Sequence, residues 1–290
     1  MTADLHRTES IVRDLRNIGI ESGDVLLVRA DCMRIGMVEG GVSGILDAFL
    51  EAIGPDGTLV VPAFTKQFLI WRMDTSYVRD QATPSTSGAL SRLVLKHPGC
   101  VRSEHPTTSF AAIGNKAETI LAGHDGGAPV YFPMGRIIEL DGKMLVSGCA
   151  ASNPGFTTVH YAQEVLGLSR RSVLRNRIAV RYRTERGAIE LFRRSSIGGC
   201  NKGFHHFYSN YIMSEKLFGG MVGSAYSIQI KAREAYEIEM ALLRKDPRQA
   251  LCDDPLCFSC RATWLYNKRD WIPYVAGFVL ARLGHRSSCR

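Results

Sequence analysis

Phe156-Thr157-Thr158-Val159-His160-Tyr161-Ala162-Gln163-Glu164 places two hydroxyls and one imidazole at what reads as the opening of a helix. A helix start presents free backbone N–H groups, so hydroxyl donors, a proton acceptor and amide donors meet there, the equipment of an acyl-transfer centre. On spacing alone the same residues also describe a Thr-capped helix with a surface histidine. A second group, Cys252-x4-Cys257-x2-Cys260, offers three thiols on a turn, to which Cys200, His205 or Cys289 could add a fourth ligand for tetrahedral zinc. The spacing is irregular and the fourth ligand unassigned. A turn with buried thiols is therefore the simpler expectation, and no metal is expected at the catalytic residues. A zinc-dependent hydrolase built on Cys252, Cys257, Cys260 and a histidine is the reading that stoichiometric zinc and loss of activity on chelation would favour.

Charge forms the third concentration. The chain carries 36 Lys+Arg against 28 Asp+Glu, a net +8, and nine arginines fall between Arg170 and Arg194. Such an arm attracts phosphates on a nucleotide or cofactor, whereas alternation with apolar residues from Arg175 to Leu191 equally describes a solvated β-hairpin. No exposed aromatics interleave with it, so nucleic-acid binding is not expected.

These residues need a frame. Ile11, Val12, Leu15 and Ile18 have helical spacing, and the Ser22-Gly23-Asp24 turn leads into a buried strand, Val25-Leu26-Leu27-Val28. Val42 to Ile53 repeats the helical pattern and stops at Gly54-Pro55-Asp56-Gly57 before a strand over Thr58 to Pro62. Strand, helix, strand suggests a parallel crossover, and wholly apolar strands suggest helices on both faces. Further helices are expected at Pro84 to His97, Asn115 to Ala122 and Ile228 to Leu243, and further strands near Cys100 to Arg102 and over Lys143 to Gly148. A hairpin is expected over Arg177 to Phe192, and Trp264 to Leu283 reads as a short apolar tail. The strand over Lys143 to Gly148 delivers the chain to Thr157 and His160, at a strand end where α/β folds commonly keep catalytic groups.

At 45% hydrophobic residues and 290 positions, the expectation is one α/β domain over residues 1–290. It would carry the Arg-rich hairpin at about 170–194 and a Cys-containing C-terminal segment at about 251–290. No apolar run approaches the ~20 residues that span a bilayer, and Met1 to Arg7 lacks a secretory pattern. A cytoplasmic protein with no membrane partner is expected, and a homo-oligomer is compatible with the sequence.

Several ordered segments resemble one family, the aminoglycoside 3-N-acetyltransferases of the non-GNAT antibiotic N-acetyltransferase type. They are Leu15…Ile18-Gly19-Ile20…Gly23-Asp24-Val25-Leu26-Leu27-Val28, Arg34-Ile35-Gly36…Gly40-Gly41, and Gly54-Pro55-Asp56-Gly57-Thr58 through Thr65. Pro84-Ser85…Gly88-Ala89-Leu90, Arg102-Ser103-Glu104-His105-Pro106-Thr107-Thr108-Ser109, Gly123-His124-Asp125 and Leu140-Asp141-Gly142-Lys143 follow. Thr157-Thr158-Val159-His160 and Val222-Gly223-Ser224-Ala225 complete the set.

The resemblance implies a three-layer α/β/α fold with a mixed, largely parallel central sheet. It also implies acyl-CoA-dependent acylation, with acetyl-CoA as donor and an amine of an amino sugar or related compound as acceptor. His160 would be the general base, Thr158 or Thr157 a donor to the developing oxyanion, and Glu164 an orienting carboxylate. The family usually has Glu three residues after this histidine, where this chain has Gln163. After the first strand the family typically reads His-Ser-Ser-Leu, and this chain reads Arg29-Ala30-Asp31-Cys32. On this likeness Arg29, Asp31, Cys32, Arg34, Ser103, His105, Thr107, Ser109 and Thr157 are candidate substrate or coenzyme contacts. The net positive charge favours an anionic acceptor, such as an amino sugar linked to a nucleotide, over a polycationic aminoglycoside. An aminoglycoside-resistance enzyme and a non-catalytic binding or regulatory module on the same fold are the rival readings.

Overall fold

Apolar runs without polar alternation become strands covered on both faces, because successive side chains point to opposite sides. A computed structural model, which describes residues 5–262 and 271–287, contains three such strands side by side. Its strands are β1 (Leu5–His6), β2 (Val25–Ala30), β3 (Met37–Val38), β4 (Thr58–Pro62), β5 (Phe68–Leu69), β6 (Val78–Arg79), β7 (Cys100–Arg102), β8 (Phe110–Gly114) and β9 (Lys143–Ser147). The remainder are β10 (Ile178–Arg183), β11 (Ile189–Arg193), β12 (Phe218–Val222) and β13 (Ala225–Lys231). The helices are α1 (Thr8–Asn17), α2 (Cys32–Ile35), α3 (Val42–Ile53), α4 (Ala89–Val94), α5 (Ala117–Leu121), α6 (Phe132–Glu139), α7 (Thr158–Val165), α8 (Tyr208–Met213), α9 (Ala232–Lys245) and α10 (Trp271–Ser287).

Seven strands form the main sheet in the order β12-β13-β9-β2-β4-β8-β7. β9, β2 and β4 run parallel at its centre, and each flank adds antiparallel neighbours. Five of the seven strands share one direction, the sense in which this mixed sheet is largely parallel. The expected crossover is present, since β2 and β4 pair in parallel with α3 between them in sequence.

Alternation splits the core in two. Val25, Leu27, Val60, Met144 and Val146 face a cluster built with α5, α6, α7 and α9, whereas Leu26, Val28, Leu59, Val61 and Leu145 face one built with α1, α3 and α4. The α3 helix contributes Ile45, Phe49, Ala52 and Ile53, all on one face, and ends at Gly54, whose φ of 67° suits only glycine well.

Two expectations change and one strand is added. Residues 228–231 belong to strand β13, where Ile228 and Ile230 are buried and paired beside β9, and the helix starts only at Ala232. The helix expected over Pro84 to His97 is confined to Ala89–Val94. β8 carried no sequence expectation, and its small residues pack between β4 and β7. Of the apolar tail, residues 264–270 lie outside the described residues, and Trp271–Ser287 is helical.

The Arg-rich segment forms the antiparallel pair β10–β11, joined by β5 and β6 into a small second sheet. Arg181 donates to the carbonyl of Thr75, Arg183 to that of Gly187, and Arg194 to the Ser196 carbonyl and the Gln67 side chain. Among the described residues no helix is long and apolar enough to cross a membrane.

Candidate active site

β9, β2 and β4 all end at one side of the sheet, where backbone leaving parallel strands opens a crevice. A cleft of about 530 Å³ lies there. Arg29, Ala30, Asp31 and Cys32 reach it from the end of β2, Pro62 and Phe64 from beyond β4, and Cys149 and Asn153 from beyond β9. Thr157 and His160 enter from the start of α7, with Tyr131, Asn201 and Phe204 closing the wall around them.

His160 is held on every side but one. Its ring stacks on Tyr131 at 4.9 Å and 15°, and meets the edge of Phe204 at 4.7 Å. Gly198 backs it so closely that a Cβ there would stand 2.9 Å from Nδ1, so glycine is required by contact. Nδ1 lies 3.2 Å from Gln163 Oε1. An amide oxygen can only accept, so Nδ1 carries the proton and Nε2 keeps its lone pair. Burial lowers the imidazole to about 4, with Arg194 and Arg29 pushing the same way and the Gln163 hydrogen bond opposing. His160 is therefore neutral at physiological pH.

Gln163, not Glu164, is the residue behind His160. Glu164 points elsewhere along the helix, and its two oxygens accept the backbone N–H groups of Val130 and Tyr131 at 2.9 Å each. It thereby fixes the loop that delivers Tyr131. Where the resemblance implies Glu, this chain has a neutral amide, which orients the ring and offsets only part of the lowering by burial. Gln163→Glu is expected to raise the His160 pKa by about one to three pH units, as an opposite charge at this range does. An NMR titration of the imidazole checks it, and an unmoved titration would show that the introduced carboxylate does not face Nδ1.

Thr158 is also corrected. It is fully buried and its hydroxyl donates to Glu239 Oε1 at 2.7 Å, on the side of α7 turned away from the cleft. Of the two threonines Thr157 is the one on the cleft wall, and it stands at the N-cap position of α7 without a side-chain capping bond.

The β2 loop separates into three roles. Arg29 is half-buried, and its terminal nitrogens donate to the carbonyls of Gly155, at 2.9 Å, and Asn153. Those nitrogens brace the wall instead of presenting a free fork for phosphate. Asp31 accepts from the N–H of Met33 at 3.2 Å and pairs with exposed Arg34 at 3.4 Å. Cys32 lines the cleft as a thiol whose pKa burial raises. Arg34 itself borders a separate concavity with Tyr208 and Tyr226.

Ser103, His105, Thr107 and Ser109 do not reach the cleft. All four are buried in the connection between β7 and β8. His105 Nδ1 accepts from the N–H groups of Thr107 and Thr108, and the ring stacks on His124 at 4.9 Å. Ser103 accepts from Phe110 N–H and contacts His124 Nδ1, and Ser109 donates to the Ala63 carbonyl at 2.7 Å. This motif is a buried polar turn whose groups bond to one another and to neighbouring strands, with His105 Nε2 left without a hydrogen-bond partner. Sequence reasoning missed Tyr131, Asn153, Asn201 and Phe204, which carry no motif and reach the cleft only through the fold.

The three C-terminal thiols converge with a fourth from Cys200, at a place that contributes nothing to the cleft lining. His205 is not in that group; it and His206 pair with Asp253. Cys289 lies outside the described residues.

A family model described as aminoglycoside 3-N-acetyltransferase matches residues 27–244. Aminoglycoside N(3)-acetyltransferase III of Salmonella sp is 32% identical over 177 residues, covering 56% of this chain and 61% of that relative. The match thus spans less than two thirds of that relative's length. The crystal structure of aminoglycoside acetyltransferase AAC(3)-IVa, apoenzyme, aligns with a TM-score of 0.76 at 25% identity over 90% of this chain and 97% of that one. A mutant of AAC(3)-IVa in complex with a gentamicin aligns with a TM-score of 0.77 at 27% identity, over 90% and 98%. Matched by that model over about three quarters of its length, the chain belongs to the aminoglycoside 3-N-acetyltransferase family.

Proposed function

We propose that the protein is an acyl-CoA-dependent N-acetyltransferase that acylates an amino group of an amino sugar or related amine, with His160 as general base. The carrying observation is the neutral His160 ring in the cleft wall with its Nδ1 engaged by Gln163, which leaves Nε2 as the nitrogen to act as base. In this reading the acceptor nitrogen attacks the thioester carbonyl and forms the C–N bond. Nε2 removes the nitrogen's proton as the C–S bond breaks, and that proton goes on to the departing thiolate or to solvent. The Thr157 hydroxyl donates to the carbonyl oxygen as negative charge develops there.

Acetyl-CoA is the donor, and aminoglycosides are the first acceptors to try, because the relatives' names specify acetyl transfer and aminoglycosides. The charge of the cleft favours something less cationic. The one carboxylate on its wall, Asp31, is paired with Arg34, so a polycation gains little there, and Arg92 on the same wall suits an amino sugar bearing phosphate better. A single domain over 1–290 remains part of this reading.

A thiol-release assay with acetyl-CoA, run across a panel from aminoglycosides to amino-sugar nucleotides, tests donor and acceptor together. Release with an amino sugar is expected, fastest with the anionic members. Calorimetry with acetyl-CoA then separates the outcomes of a silent panel. No heat would favour a non-catalytic module on this fold, whereas binding without release would retain the donor and reject the acceptor class.

A further inference from the structure

The turn after α9 and the loop before α8 are far apart in sequence, yet each brings thiols to one point. The Sγ atoms of Cys200, Cys252, Cys257 and Cys260 all lie within 4.8 Å of one another. Cys200 is 3.2 Å from Cys260 and 3.7 Å from Cys257. Those separations are far above the ~2.05 Å of a disulfide. They are close to what a shared ion imposes, since sulfurs about 2.3 Å from a tetrahedral zinc stand about 3.8 Å apart. Four buried or half-buried thiols facing a common centre would otherwise crowd weak donors against one another with little gained.

We infer that Cys200, Cys252, Cys257 and Cys260 bind one structural Zn2+ as a closed tetrathiolate that clamps segment 251–262 onto the loop behind His160. Four protein ligands leave no open position, so the ion is structural and performs no hydrolysis. Binding releases the thiol protons to solvent, and the resulting dianionic centre lies beside Arg261, whose guanidinium donates to the Cys252 carbonyl.

The location gives the ion a role. Cys200 lies two residues after Gly198, which packs on the His160 ring, and just before Asn201 and Phe204, which line the cleft. The 251–262 segment is pressed against the same loop, because a Cβ at Gly203 would fall 2.4 Å from Leu251 carbon and oxygen. Besides the ion, the wall that presents His160 is anchored to this segment by such contacts, by the His206 bonds to the Gln249 carbonyl and Asp253, and by the His205–Asp253 pair.

Metal analysis of the full chain, purified without chelator, is expected to find one zinc per chain, released together with four thiols when a mercurial titrates the cysteines. Protein produced in cobalt-supplemented medium should show the visible bands and sulfur-to-cobalt charge transfer of a tetrahedral tetrathiolate. Cys257→Ser should lose the metal, whereas Cys100→Ser, at a thiol outside the cluster, should keep it. Should Cys257→Ser fail to fold, Cys257→His should retain a tetrahedral cobalt spectrum with weaker charge transfer. Substoichiometric metal, iron in place of zinc, two disulfides among the four cysteines, or zinc retained undiminished by Cys257→Ser would each overturn the inference. None of these readouts depends on acyl transfer, so they stand apart from the proposed activity.

Discussion

His160→Ala is expected to lower kcat by about 10²- to 10⁴-fold while leaving KM for acetyl-CoA nearly unchanged, the loss typical of a missing general base. The ring is gripped by Tyr131 and Phe204, so truncation also opens a void. His160→Gln fills more of that void without supplying a base, and it should lose as much activity with a smaller drop in Tm. The pH dependence gives an independent signature. A base works only when unprotonated, and the lowered pKa of His160, about 4, places its acid limb of kcat/KM near that pH, not near 6.5. Equal losses in kcat and KM-linked binding, or an acid limb that survives His160→Gln, would remove the imidazole from the proton path.

Stability should respond to pH in an unusual direction through Glu239. This carboxyl is fully buried, accepts from Thr158 Oγ1 at 2.7 Å and Tyr211 OH at 2.5 Å, and is raised by burial from 4.5 to about 8. Between those values the folded protein holds a proton that the unfolded chain has released. Its stabilising contribution is thus complete below 4.5 and disappears as pH rises to about 8, a change on the order of 5 kcal/mol at 1.36 kcal/mol per pH unit. Glu239→Gln stays neutral and can still accept both hydroxyls. Its Tm should exceed that of the wild type by several degrees above about pH 8. The advantage should vanish at pH values well below neutral.

Buried histidines oppose this trend on the acid side. His160 and His124 are lowered to about 4 and His105 well below 6.5, each chiefly by burial. Below 6.5 the unfolded chain gains their protons and the folded one does not, so falling pH favours unfolding. Three histidines outweigh one carboxyl, and these four groups place the stability maximum near pH 6.5. Urea unfolding across the range measures it, and a maximum near pH 9 would contradict the assignment.

Local pattern revealed the frame wherever one element ended before another began. β2, β4 and β9 were legible as apolar runs, and α3 was bounded by Gly54-Pro55-Asp56-Gly57. The pattern misled at β13, because Ile228 and Ile230 run into the apolar face of α9 with no turn between, Lys231 being both the last strand residue and the helix cap. Pattern alone also gave no sign that Ser103, His105, Thr107 and Ser109 are buried between β7 and β8, bonded to each other and to adjacent backbone and not set on the cleft wall.

By itself, the sequence determined the apolar central strands, the helix carrying Thr157 and His160, and a turn rich in thiols, since each depends on neighbours a few residues away. Only the tertiary structure decided which polar groups face the cleft. Gln163 and Glu164 are adjacent, yet about 100° of helical rotation separates them, sending one to His160 and the other to the N–H groups of Val130 and Tyr131. Thr158 finds Glu239 across 81 residues and Cys200 finds Cys260 across 60. Those partners are selected by the packing of α7 against α9 and of the C-terminal turn against the loop before α8, contacts that no local periodicity encodes.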